Sequence, residues 1–164
     1  MVARISVGKN LYGALAYNQN KVDEGGAKVL SAHLLRYPED GRFRPDESVR
    51  QFLEWMPNHY RTEKPVIHIS LNPHPDDVLT DGQLAEIGRE YMQRLGYGNQ
   101  PYLVFKHEDI GRHHIHIVSL RVDSEGRKVS DKFEYRRSKE ITELLEQKYG
   151  LHPAEGRKKG EEWQ

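Results

Sequence analysis

Four of the eleven residues in His107-Glu108-Asp109-Ile110-Gly111-Arg112-His113-His114-Ile115-His116-Ile117 are histidine. His114 and His116 stand two apart, so on a strand their imidazoles point to one face. His107 ends the apolar stretch Pro101-Tyr102-Leu103-Val104-Phe105-Lys106. A short loop through Asp109 and Gly111 would fold the two segments into an antiparallel pair and set His107 across from the His-x-His pair. Three neutral imidazoles on adjacent strands suit a divalent metal, with coordination positions left for water or a phosphate oxygen. A second reactive group is Tyr17, which lies off the apolar face of the first expected helix. A tyrosine hydroxyl has a pKa near 10. It becomes a nucleophile where its proton can be removed and the electrophile is held in line, as a metal-bound phosphodiester would be. Packing at a core edge is the competing role for Tyr17. Tyr12 is the rival nucleophile, but five residues turn a helix by roughly 140°, so both cannot face one point.

The elements that must carry these groups can be read from pattern. Val2 to Val7 alternates as a strand, and Leu11, Ala14, Leu15 and Val22 have helical spacing. Residues 28–35 form a second strand or an irregular segment. Pro45-Asp46-Glu47 opens a helix whose apolar side carries Val49, Phe52, Leu53 and Met56. Pro65 to Leu71 is a strand, and Thr80 caps a helix that runs to Leu95 and stops at Gly96. The histidine hairpin follows, over 101–107 and 113–122. A last helix runs from Lys139 to Tyr149. The expected fold is α+β: four or five largely antiparallel strands with helices mainly on one face. One domain over residues 1–153 is expected, followed at 154–164 by a charged tail or the start of a linker.

Composition narrows the function classes. At 36% hydrophobic and 30% charged, the chain reads as a polar, soluble domain with no membrane segment and no signal peptide. Cysteine is absent, which excludes disulfides, thiolate ligands and cysteine nucleophiles and fits a reducing compartment. Net charge is zero, yet residues 127–139 hold six basic residues against two acids, and residues 76–90 hold five acids against one arginine. A neutral protein can therefore present one basic face. His68 and Ser70 share one strand face while Ile67, Ile69 and Leu71 share the other. If the second set is core, the first faces the site or a helix layer.

Taken together, the motifs resemble the relaxase domain of plasmid and transposon mobilisation proteins within the HUH endonucleases, in particular the MobA-like, P-type relaxases of Bacteroides-like elements. That family's metal motif is His-x-Asp, four residues, then His-x-His, and here it reads His107-Glu108-Asp109, residues 110–113, His114-Ile115-His116. Gly8-Lys9-Asn10-Leu11-Tyr12-Gly13-Ala14-Leu15-Ala16-Tyr17 matches the family's nucleophile region, with Tyr17 in the nucleophile's place. The strand Val66-Ile67-His68-Ile69-Ser70-Leu71-Asn72-Pro73-His74-Pro75 matches a middle motif. The resemblance spans roughly residues 1–153. It departs at Leu120, where many relatives carry asparagine.

The resemblance implies a ferredoxin-like or RNA-recognition-like sheet and a relaxase that nicks one DNA strand at an origin of transfer. Tyr17 would attack the phosphate and keep the 5′ end as phosphotyrosine, and the departing 3′ hydroxyl could later reverse the reaction. His107, His114 and His116 would hold a divalent metal, Mn²⁺ or Mg²⁺ in use, with Zn²⁺ or Ni²⁺ possible in a purified sample. Asp109 would orient a histidine or accept the tyrosine proton. His68, Ser70 and Asn72 would contact DNA near the site, and Arg4, Lys9, Arg121, Arg136 and Arg137 are candidates for its phosphates. Expected partners are single-stranded DNA at the origin of transfer, accessory relaxosome proteins and a coupling protein. The expected setting is a bacterial cytoplasm, with the domain acting as a monomer. Two alternatives stay open: a rolling-circle replication initiator using a later tyrosine, Tyr135 or Tyr149, and a silent RNA-recognition-like module that binds single strands without metal.

Overall fold

The histidine segment forms the expected hairpin at the centre of the molecule. A computed structural model describes residues 1–108 and 112–154. Its five strands are β1 (Val2–Gly8), β2 (Ala27–His33), β3 (Val66–Asn72), β4 (Tyr102–His107) and β5 (His114–Leu120). They build one sheet in the order β1-β3-β5-β4-β2, with every neighbouring pair antiparallel. The helices are α1 (Leu11–Asp23), α2 (Pro45–Trp55), α3 (Asp81–Leu95) and α4 (Glu134–Tyr149).

Strand alternation gives the sheet two unlike faces. On one, Ile67, Ile69 and Leu71 of β3, Tyr102 and Val104 of β4, and Ile115 and Ile117 of β5 are buried in a core shared with α3 and α4. On the other, Val66, Leu103, Phe105, Val118 and Leu120 pack with Leu11 and Leu15 of α1 and Phe52 of α2. The same face continues past this second core as His68, Ser70, Asn72, His107, His114 and His116. The polar half of one face is therefore the open end of an otherwise buried surface. The α+β sheet is as expected from the sequence, but the helices are shared more evenly: α3 and α4 cover one face, and α1 and α2 cover half of the other. The apolar residues of β4 and β5 occur at both parities, and a strand of that kind is covered on both sides.

Local chemistry sets the helix ends. The Asn10 side chain accepts from Gly13 N at 2.8 Å and caps α1. A Cβ on residue 13 would run into that carboxamide and push the capping side chain aside. Thr80 and Gln83 exchange hydrogen bonds in a capping box on α3, and Gly96, at φ 107°, ends it. Gly88 lets α3 approach β5 closely, because a Cβ there would lie 3.1 Å from Ile115 Cδ1. Ile115 is the residue between the paired histidines, so this close fit supports the strand that carries them. The last helix begins at Glu134, a turn and a half before the expected Lys139, behind Phe133 in the left-handed region (φ 53°) and with no side-chain cap. Without a capping residue, the sequence carries no start signal there.

Candidate metal and nucleic-acid site

β4 and β5 pair so that His107 and His114 are direct cross-strand partners. His116, two residues on, shares their face. One ring nitrogen from each of the three lies within 4.8 Å of the others, a spacing one cation can span. His107 and His114 are buried and His116 is half-buried. The His107 and His116 rings stack at 3.9 Å between centroids. The donor chemistry among the described residues, three imidazoles, fits a divalent transition metal and leaves room for oxygen ligands.

Outer partners orient two of these rings. Asn18 Oδ1 lies 2.8 Å from His107 Nε2, and Asn18 Nδ2 donates to Ala14 O at 2.8 Å. The second bond fixes which way the carboxamide points, so Oδ1 must accept from Nε2–H. His107 is thereby held as the tautomer whose Nδ1 carries the lone pair. His116 Nδ1 lies 3.0 Å from His68 Nε2. Burial pushes the His68 imidazole below its ordinary value, so it stays a neutral partner. Asn18 is fully buried, and nothing in the sequence set it apart from the other polar residues of its helix.

Tyr17 precedes Asn18 and stands over the same cluster. Its ring centroid is 6.2 Å from that of His107 and 6.5 Å from that of His116, and the side chain is half exposed. The approach follows from topology. The chain turns after β1 at the far end of the sheet, and α1 runs back over the apolar half on Leu11 and Leu15. It reaches the histidines after about two turns. Tyr12 is exposed and, roughly 140° round the helix, faces elsewhere.

Of the other expected site residues, four gather here. Cross-strand register places Arg4 beside Ser70, and Ser70 beside His116. His68 touches His116 directly, and Asn72 donates to Ser70 Oγ and to Val2 O, both at 3.1 Å. Four do not. Lys9 follows β1 at the opposite end of the sheet. Arg121 lies just past β5 at that same far end, where it is nearly buried. It bonds Lys64 O at 2.9 Å and Asp131 Oδ2 at 3.0 Å. Arg137 donates to the carbonyls of Leu95, Ser130 and Lys132. Arg136 lies over the Phe133 ring at 4.4 Å. Both are on α4, across the sheet. Arg121 and Arg137 are thus taken up in holding loops together, which their basic character alone did not reveal. Asp109 lies outside the described residues.

A family model described as Relaxase, MobA/VirD2-like, nuclease domain, matches residues 17–151. The chain belongs to this relaxase family. A comparison with curated proteins finds no match. Membership makes the chain a DNA endonuclease domain of a metal-dependent family, and the relaxase fold accounts for the antiparallel sheet and its helices. The three histidines are the metal-capable group found among the described residues. No described helix is long and apolar enough to cross a membrane.

Proposed function

We propose that this relaxase domain nicks single-stranded DNA at a specific site in an origin of transfer, with Tyr17 as nucleophile, to mobilise a plasmid or transposon. The observation that carries the reading is the placement of Tyr17 over His107 and His116, at 6.2 Å and 6.5 Å between ring centroids. The Tyr17 oxygen attacks the scissile phosphorus, the bond from phosphorus to the 3′ oxygen breaks, and the 3′ hydroxyl leaves. The 5′ end stays on the enzyme as a phosphotyrosine, whose bond energy is kept for rejoining. A divalent cation on His107, His114 and His116, Mn²⁺ or Mg²⁺ in use, supplies electrophilic polarisation of the phosphate when bound. Asn18 and His68 hold the ligand rings in place. Arg4, Ser70 and Asn72 extend the polar face on which the strand would lie. Asp109 is our candidate for accepting the tyrosine proton or orienting a histidine. Accessory relaxosome proteins, a coupling protein and a bacterial cytoplasmic setting belong to the same proposal.

The rolling-circle alternative needs a nucleophile after the histidines. Tyr135 and Tyr149 lie on α4, which packs on the opposite face of the sheet. A silent binding module leaves the facing histidines and the overlying tyrosine without a role.

The test is to incubate the protein and its Tyr17→Phe variant with Mn²⁺ and single-stranded oligonucleotides tiling the DNA beside its own gene. The expected result is a protein–DNA adduct on a denaturing gel that needs metal and is lost in Tyr17→Phe. An adduct that survives in the variant would move the nucleophile elsewhere. No adduct with any tile, from protein shown to bind metal, would favour a binding module.

A further inference from the structure

Beside the histidines, past Ser70 and Arg4, the surface drops into a cleft of about 340 Å³. Arg4, Asn72, His74 and Arg112 line its polar side. A second cleft, of about 350 Å³, lies between the start of β1 and α4, where Tyr135 and Lys139 form part of its wall. Met1, Val2 and Ala154 line both. The two hollows therefore adjoin at the N-terminal end of the edge strand β1, and together they make a groove with Arg4, the register neighbour of Ser70, on one side and α4 on the other.

Among the described residues, neither lining contains an aspartate or glutamate, although the chain has as many acids as bases. Arg4, Arg112 and Lys139 make no ion pair with a described residue. The terminal ammonium of Met1 is already paired with Glu146. Tyr135 is 89% exposed, more than any other described aromatic residue. Packing therefore does not account for its ring. Cations spaced along a groove with an exposed aromatic ring at its end are what a single-stranded polynucleotide takes: phosphates on the cations, a base on the ring.

We propose that this groove is an extended track for the single-stranded DNA substrate, in which Lys139 contacts a phosphate and Tyr135 stacks a base several nucleotides from the scissile bond. The track rests on the nuclease reading above and adds a second contact region on the far side of the sheet. It also gives the tyrosine that a rolling-circle mechanism would use a binding role instead.

The experiment is fluorescence anisotropy of the whole chain with end-labelled homothymidine strands, stepped from roughly 6 to roughly 24 nucleotides, in chelator so that no cleavage occurs. Wild type should gain affinity across the ladder. The Tyr135→Ala/Lys139→Ala double variant should match it on the shortest strands and lose about tenfold on the longest. Tyr135→Phe, which keeps a stacking face, should follow wild type. Equal affinities for the double variant and wild type at every length would overturn the track and leave the nuclease reading standing. A loss of the same size at every length would also overturn the track. Wild type that binds no strand of any length would overturn the track, while the adduct test above decides the nuclease reading separately.

Discussion

Asn18 Oδ1 lies 2.8 Å from His107 Nε2, and Asn18 directly follows Tyr17 in the chain. One helical turn thus carries both the hydroxyl proposed to attack and the group that fixes one of the rings proposed to hold the metal. If the helix shifts, both move together. The distance from tyrosine to metal site is set by a hydrogen bond as well as by core packing of Leu11 and Leu15.

Asn18→Ala should therefore weaken metal binding about 10–100-fold, the usual effect of removing an outer partner of a ligand histidine. It should also cost about 1–3 kcal/mol of stability, because the His107 N–H is left buried without its acceptor. Asn18→Asp keeps an acceptor at that point and should restore most of the metal affinity. Calorimetric titration of Mn²⁺ into the three proteins separates orientation of the ring from simple loss of fold. Equal affinity in Asn18→Ala and wild type would remove the orienting role.

Metal should also report through stability. A ligand that binds only the folded chain stabilises it by about 2.7 kcal/mol at a hundred times its dissociation constant. Mn²⁺ or Ni²⁺ should accordingly raise the melting temperature of wild type. His114→Ala and His116→Ala should each abolish most of that rise while leaving a folded protein. Replacing His113, which is exposed and precedes β5, should leave the rise intact. A rise that persists in His114→Ala would place the ion elsewhere.

Much of the site could be read from the sequence because strand alternation is a strict rule. The two-residue spacing of His114 and His116, and the turn length after His107, are enough to put three imidazoles together. The split between Ile67, Ile69 and Leu71 and the polar face of His68 and Ser70 followed in the same way. What stayed hidden depends on tertiary partners. Asn18 looks like any polar helical residue until the helix is docked on β4 and β5. Arg121 and Arg137 look like phosphate contacts until the carbonyls of Lys64, Leu95, Ser130 and Lys132 arrive from distant segments. A charge in sequence says nothing about whether a fold has already used it.

The two arginine classes should separate by mutation. Arg121→Ala removes the side-chain donor to Lys64 O and one of the two cations on the Asp131 carboxylate, the other being Lys128, and should cost about 1–3 kcal/mol. At about 2–4 °C per kcal/mol for a chain of this size, the melting temperature falls visibly. Its affinity for single-stranded DNA, measured well below the melting point, should not change. Arg4→Ala should do the reverse: a melting temperature near wild type, weaker DNA binding, and a salt dependence shallower by about one unit of log–log slope. If Arg121→Ala weakens DNA binding while the protein stays folded, the structural assignment is wrong.

Acid stability offers a test of how the histidine strand is anchored. Asp81, at the start of α3, accepts from Lys106 at 2.6 Å and also pairs with Lys28. Lys106 is nearly buried and immediately precedes His107. Hydrogen bonds from these two lysines hold the Asp81 carboxyl down, from 3.8 to about 2. A carboxylate whose pKa is lower folded than unfolded stabilises the fold above the unfolded value, and that contribution is lost as pH falls through the folded value. The window is therefore between about pH 4 and about pH 2. Because Asp81 and Lys28 are about half exposed, screening reduces the effect to about 1 kcal/mol or less. Asp81→Asn should lower the urea midpoint modestly at neutral pH. The gap from wild type should close as pH drops from about 4 to about 2. A gap that stays constant down to pH about 2 would mean that the pairing contributes through packing and not through the charge on Asp81.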